Sequence, residues 1–133
     1  MKISIVIVSY NVKDFISQCI RSIYKSNLNK NDYEIIVVDN DSHDNTLQMI
    51  EKEFEEVIII RNKNNEGFSK AVNQGFAISK GENLCIINPD VIIKDENGTE
   101  LISVDAHISE TVEKASLDFT DVNNMPGFKI DIY

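Results

Sequence analysis

Residues 2–9 form a continuous apolar run rich in Ile and Val, the pattern of a strand covered on both faces. The spacing then becomes helical over 14–26, where Phe15, Ile16, Cys19, Ile20, Ile23 and Tyr24 fall on one stripe. Residues 33–38 are a second β-branched run, and 45–55 are helical again, with Leu47, Ile50 and Phe54 on the inward face. A short strand follows at 57–60. Gly67 opens a third amphipathic stretch with Phe68, Ala71, Val72, Phe76 and Ile78 facing in, and Gly81 stands where a helix-stopping residue is expected. Residues 84–87 predict a fourth buried strand. The order βαβαβαβ implies an α/β fold, a mostly parallel sheet with right-handed crossovers and helices on both faces.

Beyond Val91 the periodicity divides. Residues 101–109 alternate as a strand does, yet Leu101, Val104, Ile108, Val112 and Ala115 also satisfy helical spacing. Gly127 to Tyr133 alternates like a final strand, with Pro126 at its start. No internal repeat or low-complexity segment is present.

Composition narrows the classes. At 133 residues the chain fits one domain, and 42% hydrophobic with 26% charged residues belongs to folded soluble proteins. No apolar run approaches the ~20 residues of a membrane span. The first eight residues lack the length and cleavage site of a signal peptide, so a cytoplasmic setting is expected. The net charge of −9 argues against duplex binding, which draws its affinity from phosphate neutralisation. Acid is concentrated late: residues 1–90 carry 10 basic and 13 acidic side chains, and 91–133 carry 3 and 9. Cys19 and Cys85 have no CxxC spacing and read as small buried hydrophobes of a reducing compartment.

Ligands of an open parallel sheet bind at the carboxyl ends of its strands, near the point where strand order reverses. The polar residues gather at those ends: Ser9-Tyr10-Asn11, Asp39-Asn40-Asp41-Ser42, Asn62 through Gly67, and Asn88-Pro89-Asp90. Any one of these loops is equally well read as turn and cap residues. None of the five glycines lies between the first strand and its helix, so the dinucleotide fingerprint is absent, and so is the P-loop. A bound diphosphate would face Asp39, Asp41 and Asp90, which repel it. A divalent cation bridging carboxylate and phosphates removes the conflict, and oxygen ligands suit magnesium or manganese.

Four segments carry a resemblance: residues 4–11 (SIVIVSYN), 36–46 (IVVDNDSHDNT), 65–75 (NEGFSKAVNQG) and 88–91 (NPDV). In this order and spacing the chain resembles family 2 glycosyltransferases of the GT-A, Rossmann-like fold, and among them a rhamnosyltransferase-like branch. The likeness covers residues 2 to about 94. It implies a nucleotide-diphosphate sugar donor, a divalent metal (Mn or Mg) and inverting transfer to an acceptor hydroxyl. It places the nucleoside against Ser9, Tyr10, Asn11, Asp39 and Asp41, with Asp39 bonding the base edge or, alternatively, capping the strand end. It puts Asn65, Ala71 and Asn73 along the donor site and assigns Gly67 to close backbone approach. Asn88-Pro89-Asp90 stands where the family has its DxD motif, which makes Asp90 the metal ligand; an ordinary turn is the alternative. Arg61, Lys63 and Lys70 read as solvated surface, and neither His43 nor His107 takes a catalytic role.

The resemblance divides the chain into a donor-binding half over 1–94 and an acidic extension of the same domain over 95–133. Residues 95–133 match no part of the family's acceptor-binding half, so their nine carboxylates identify no general base for the acceptor hydroxyl. Two functions stay open: a metal-dependent transferase, and a catalytically incomplete nucleotide-sugar-binding module. A phosphoacceptor receiver needs an acidic pair where Ser9-Tyr10-Asn11 stands. A sheet edge left without the missing half also points to a homo-oligomer.

Overall fold

The computed structural model describes residues 1–93. The predictions for 101–109 and 127–133, and the carboxylates from Asp95 onward, lie outside these residues. Four strands, β1 (Ile3–Ser9), β2 (Tyr33–Asp39), β3 (Ile58–Arg61) and β4 (Asn83–Ile87), alternate with α1 (Lys13–Tyr24), α2 (Thr46–Glu53) and α3 (Phe68–Ile78). A short 3-10 turn, Lys30–Asp32, precedes β2. All strand pairs are parallel, in the order β3-β2-β1-β4. The alternation expected from periodicity is therefore the fold. The strand order reverses between β1 and β4, which makes the carboxyl ends of those two strands the switch-point crevice.

Side chains of successive strand residues point to opposite faces, and the two faces have different covers. Ile5, Ile7, Ile35 and Val37 pack with Ile16, Ile20 and Ile23 of α1 and Ile50 of α2. Val6, Ile36 and Val38 pack with Ala71 and Val72 of α3. Ile7, Ile20, Ile36 and Ile50 are completely buried, and each such side chain contributes about 1.5–3 kcal/mol of transfer free energy. Arg21 ties α1 to α2, meeting Glu53 at 2.5 Å and lying over the Phe54 ring, which Tyr24 meets edge-on. Among the described residues no helix is long and apolar enough to cross a membrane.

Several inward assignments are corrected. Phe15, Phe68 and Ile78 are 57%, 52% and 42% exposed. The stripe of α1 is filled by Ile16, Cys19, Ile20 and Ile23, and Phe15 sits one residue, about 100°, to its side. Phe68 and Ile78 are the end residues of α3. Leu47 is half-buried, while Met49 takes a buried place beside Ile50. Cys85 and Ile86 are only half-buried, because β4 pairs with β1 alone among the described strands. Gly81 is not a helix stop either: α3 ends at Ile78, capped by Ser79 in extended conformation. At Gly81 a Cβ would lie 2.4 Å from the Ser4 amide nitrogen, so glycine is there to let the α3–β4 connection touch β1.

Candidate functional site

Four loops meet at the carboxyl edge of the sheet, and buried polar groups hold them to one another. Asp39 closes β2 and has no solvent exposure. Its Oδ1 accepts from Ser9 Oγ at 2.7 Å and from Ser42 Oγ at 2.6 Å, and its Oδ2 accepts from the Ser42 amide at 2.8 Å. Both carboxylate oxygens thus organise the loop. Ser9 is likewise fully buried, whereas Tyr10 is 44% exposed at the mouth of the edge.

Asn11, the next residue, joins two loops. Its amide donates to Ser42 Oγ at 2.9 Å, and its Oδ1 accepts from the His43 amide at 2.7 Å. Its φ is +50°, and Asp41 and Asn45 also have positive φ, +69° and +64°. Asn and Asp tolerate this region better than other L-residues because their short side chains bond locally. All three positions fall in the loops after β1 and β2. His43 Nε2 lies 3.4 Å from Asp41 Oδ2.

One carboxylate serves two helix starts. Asp44 Oδ2 accepts from the Lys13 amide, first residue of α1, at 3.1 Å, while Oδ1 accepts from the Thr46 amide, first residue of α2, at 3.1 Å and also from Thr46 Oγ1. Neither helix has a side-chain cap of its own, so Asp44 satisfies donors that would otherwise be orphaned. Partial desolvation alone would raise the Asp44 pKa; the hydrogen bonds from Thr46 and Lys13 outweigh it and hold the carboxyl below its ordinary value.

The loop after β3 has its own network. Asn40, 3% exposed, donates to the Gly67 carbonyl at 3.2 Å and accepts from Asn62 Nδ2 at 2.9 Å and the Glu66 amide at 3.3 Å. Asn62 and Gln74 exchange reciprocal amide bonds of 2.7 and 2.8 Å. Asn65 is exposed and its Oδ1 takes the Gly67 amide at 3.0 Å. Gly67 has φ +83°, ψ 170°, a backbone region essentially restricted to glycine, and a Cβ there would meet nothing within 4 Å. Conformation, not crowding, demands this glycine. Asn73 is half-buried in α3, and Ala71 is core. Arg61 pairs with Glu51, Lys70 with Glu66, and Lys63 is exposed, in keeping with solvated surface.

At the end of β4, Asn88-Pro89-Asp90-Val91 is a turn closed by the Val91 amide on the Asn88 carbonyl at 3.1 Å. It leaves Asn88 and Asp90 exposed. Buried Ile93 anchors the exit, its amide donating to Ser22 Oγ at 3.1 Å. Behind the turn, burial pushes the Cys19 thiol up to about 12, and the neighbouring Cys85 and Asp90 add to the shift. Among the described residues no group of three or more His, Cys, Asp or Glu could hold a metal unaided. The donor set still fits magnesium or manganese in one way: such ions at nucleotide sites take one or two carboxylates and complete their shell with substrate phosphates and water. Asp90 offers that carboxylate; Asp39 is committed inward.

The edge therefore brings together Ser9, Asn11 and Asp39 in one bonded unit, with Asp41 beside it against His43, and Asn65 with Gly67 in a second. Asn88 and Asp90 stand in a third loop. Ser42, Asp44, Asn40, Asn62 and Gln74 were not singled out from sequence. Ser42, Asp44, Asn40 and Gln74 lie inside the recognised motifs and Asn62 in the polar run after β3, and a dense run of Asn, Asp and Ser after a buried strand was the available signal.

Comparison with known proteins agrees with this architecture. The family model described as glycosyl transferase family 2 matches residues 4–122, running past the motif-bearing stretch. The poly(ribitol-phosphate) beta-glucosyltransferase of Bacillus spizizenii is 40% identical over 100 residues, covering 72% of this chain and 16% of that protein. The crystal structure of Staphylococcus aureus TarS in complex with UDP-GlcNAc superposes with a TM-score of 0.64 at 29% identity, over 68% of this chain and 27% of that one. A Pyrobaculum calidifontis mannosyltransferase in complex with GDP-Man and Mn2+ shares the fold, with a TM-score of 0.68 at 20% identity, over 72% of this chain and 29% of that one. The chain thus spans between about a sixth and a third of the length of these proteins. None of them is a rhamnosyltransferase by name, and the finer branch expected from the motifs finds no support in them.

Proposed function

The chain belongs to glycosyl transferase family 2, and on that premise we propose that its carboxyl edge holds the nucleotide-diphosphate sugar donor of an inverting sugar transfer. The observation that carries the reading is the pair of stitched loops after β1 and β2, the first of which borders the β1–β4 switch point: Ser9, Asn11 and Asp39 locked into one bonded unit beside exposed Tyr10. In this reading Tyr10 and the edge of that unit receive the nucleoside, while Asn65, Gly67, Asn73 and Asn88 flank the sugar diphosphate. A divalent cation supplies charge neutralisation between the phosphates and Asp90. Free Cys19 and Cys85 suit a reducing compartment such as the cytoplasm.

Transfer itself needs a base within hydrogen-bond reach of the acceptor hydroxyl. In this reading Asp39 and Glu34 are buried and bonded, Asp44 caps two helices, and Asp90 serves the cation, so none of these four is assigned as the base. We therefore assign donor binding to residues 1–93 and assign them no acceptor side; the chain spans a small share of each relative's length.

Calorimetry with UDP, GDP and uridine, with manganese or with chelator, tests the proposal. Manganese should strengthen binding of a diphosphate at least tenfold and leave uridine unchanged, and Asp90→Asn should erase the difference, since one lost charge–charge contact of this kind is worth about a decade in affinity. Equal diphosphate affinity with manganese and chelator refutes the metal assignment. Failure of every nucleotide to bind refutes the reading. Turnover of UDP-GlcNAc by the isolated chain, lost in Asp90→Asn, shows a base within the chain.

A further inference from the structure

We infer that Ser42 is a positioning residue for nucleoside recognition, the single hydroxyl that orients both Asn11 and Asp39. The inference rests on the reading that this edge receives a nucleoside, and it adds a residue that neither the motifs nor that reading had assigned.

A serine hydroxyl has one proton to give and two lone pairs to receive. Ser42 uses both capacities inward. Its proton goes to Asp39 Oδ1 at 2.6 Å, and its lone pair takes the Asn11 amide at 2.9 Å. Its own amide donates to Asp39 Oδ2 at 2.8 Å. The bonds form one directed series: Asn11 N–H to Ser42 Oγ–H to Asp39, with Ser9 Oγ–H arriving from the other side at 2.7 Å. The carboxylate is gripped at both oxygens by one residue, so its plane is fixed relative to the β1–α1 loop.

Asn11 needs that grip. At φ +50° it sits in a region that L-residues adopt at a cost, and two bonds from the neighbouring loop hold it there: Ser42 Oγ on its amide and the His43 amide on its side chain. Ser42 and Asn11 are 31 residues apart, so this is a tertiary contact and no local turn replaces it. Of the genetically encoded side chains, Thr presents the same hydroxyl on the same carbon; Ala presents nothing.

Isothermal titration of the full chain with UDP and with uridine, well below its melting temperature, tests the role. Ser42→Ala should weaken both ligands by the same factor, about tenfold, the scale of losing hydrogen bonds to a charged partner. Equal loss is the signature of a nucleoside-end defect, since the diphosphate contribution is the ratio of the two. Ser42→Thr should restore affinity to within about twofold. Binding by Ser42→Ala as tight as wild type overturns the inference while leaving the nucleotide reading intact. Loss confined to UDP, with uridine unaffected, also overturns it. Absence of binding by the wild-type chain removes the nucleotide reading and this inference with it. If Ser42→Ala does not fold, hydrogen exchange in the wild type decides: saturating UDP should slow the Asn11 amide at least tenfold, and an unchanged rate overturns the inference.

Discussion

Ser4 of β1 faces Glu34 of β2 near the amino end of the sheet, and Ser9 faces Asp39 at the carboxyl end, both in the same parallel register. Each serine hydroxyl donates to the opposing carboxylate, at 2.5 and 2.7 Å, and all four residues are buried. Five positions separate the pairs along each strand, so they lie on opposite faces: Ser4–Glu34 on the α3 side, Ser9–Asp39 on the side of α1 and α2. What differs is the backbone each carboxylate holds. Glu34 and Ser4 take the amides of Lys80 and Gly81, at 2.6 and 2.8 Å, and so press the α3–β4 connection flat against β1. Asp39 and Ser9 hold a loop whose neighbours, Asn11 and Asp41, have positive φ. One end uses the motif to close a tight packing contact. The other uses it to maintain a conformation the chain would not adopt unaided, which is where binding groups are usually displayed.

The largest effect should come from the amino end. Gly81→Ala drives a methyl into the Ser4 backbone and should cost roughly 3 kcal/mol in urea unfolding, with UDP affinity unchanged while the chain is folded. Lost affinity in that variant would merge the two ends into one functional unit. Asp39→Ala should cost about 2 kcal/mol of stability by orphaning Ser9, Ser42 and the Ser42 amide, and it should also weaken UDP at least tenfold. A folded variant with wild-type affinity would make Asp39 a cap and nothing more. Glu34→Gln keeps an acceptor and loses the charge, so about 1 kcal/mol of stability should go, again with no change in UDP binding.

The smallest effect concerns Asp44 and depends on pH. Its folded pKa lies below the ordinary value of 3.8, so the ionised carboxylate stabilises the fold fully above that pH. As pH falls beneath 3.8 toward the native pKa, protonation removes the contribution. Asp44→Asn should therefore destabilise by about 1 kcal/mol at pH 7, a capping loss, and the gap to wild type should narrow in acid. Urea titrations at neutral pH and near pH 3 measure it; a gap that widens in acid contradicts the assignment.

Much of this was legible along the chain. The alternation of Ile- and Val-rich runs with helical stripes specified four strands and three helices, and the clustering of Asn, Asp and Ser at strand ends marked the edge where the polar network forms. Those signals are local: a period of two or near 3.6 is complete within a few turns or residues, and burial of a continuous apolar run admits few alternatives. Loops rich in Asn and Asp announced themselves for the same reason.

What tertiary structure alone decided is which polar atoms face inward and whom they meet. Ser9 meets Asp39 across 30 residues, Asn11 meets Ser42 across 31, and Asn40 meets Gly67 across 27; each pair exists only after a whole helix has been laid down and the parallel register set. Gly81 looked like a helix stop from its place after an amphipathic stretch, and only the approach of the Ser4 amide revealed its purpose. Apolar burial is additive and nearly indifferent to partner, so sequence periodicity suffices to foresee it. A buried hydrogen bond requires a particular donor at a particular distance and angle, and that geometry belongs to the assembled sheet.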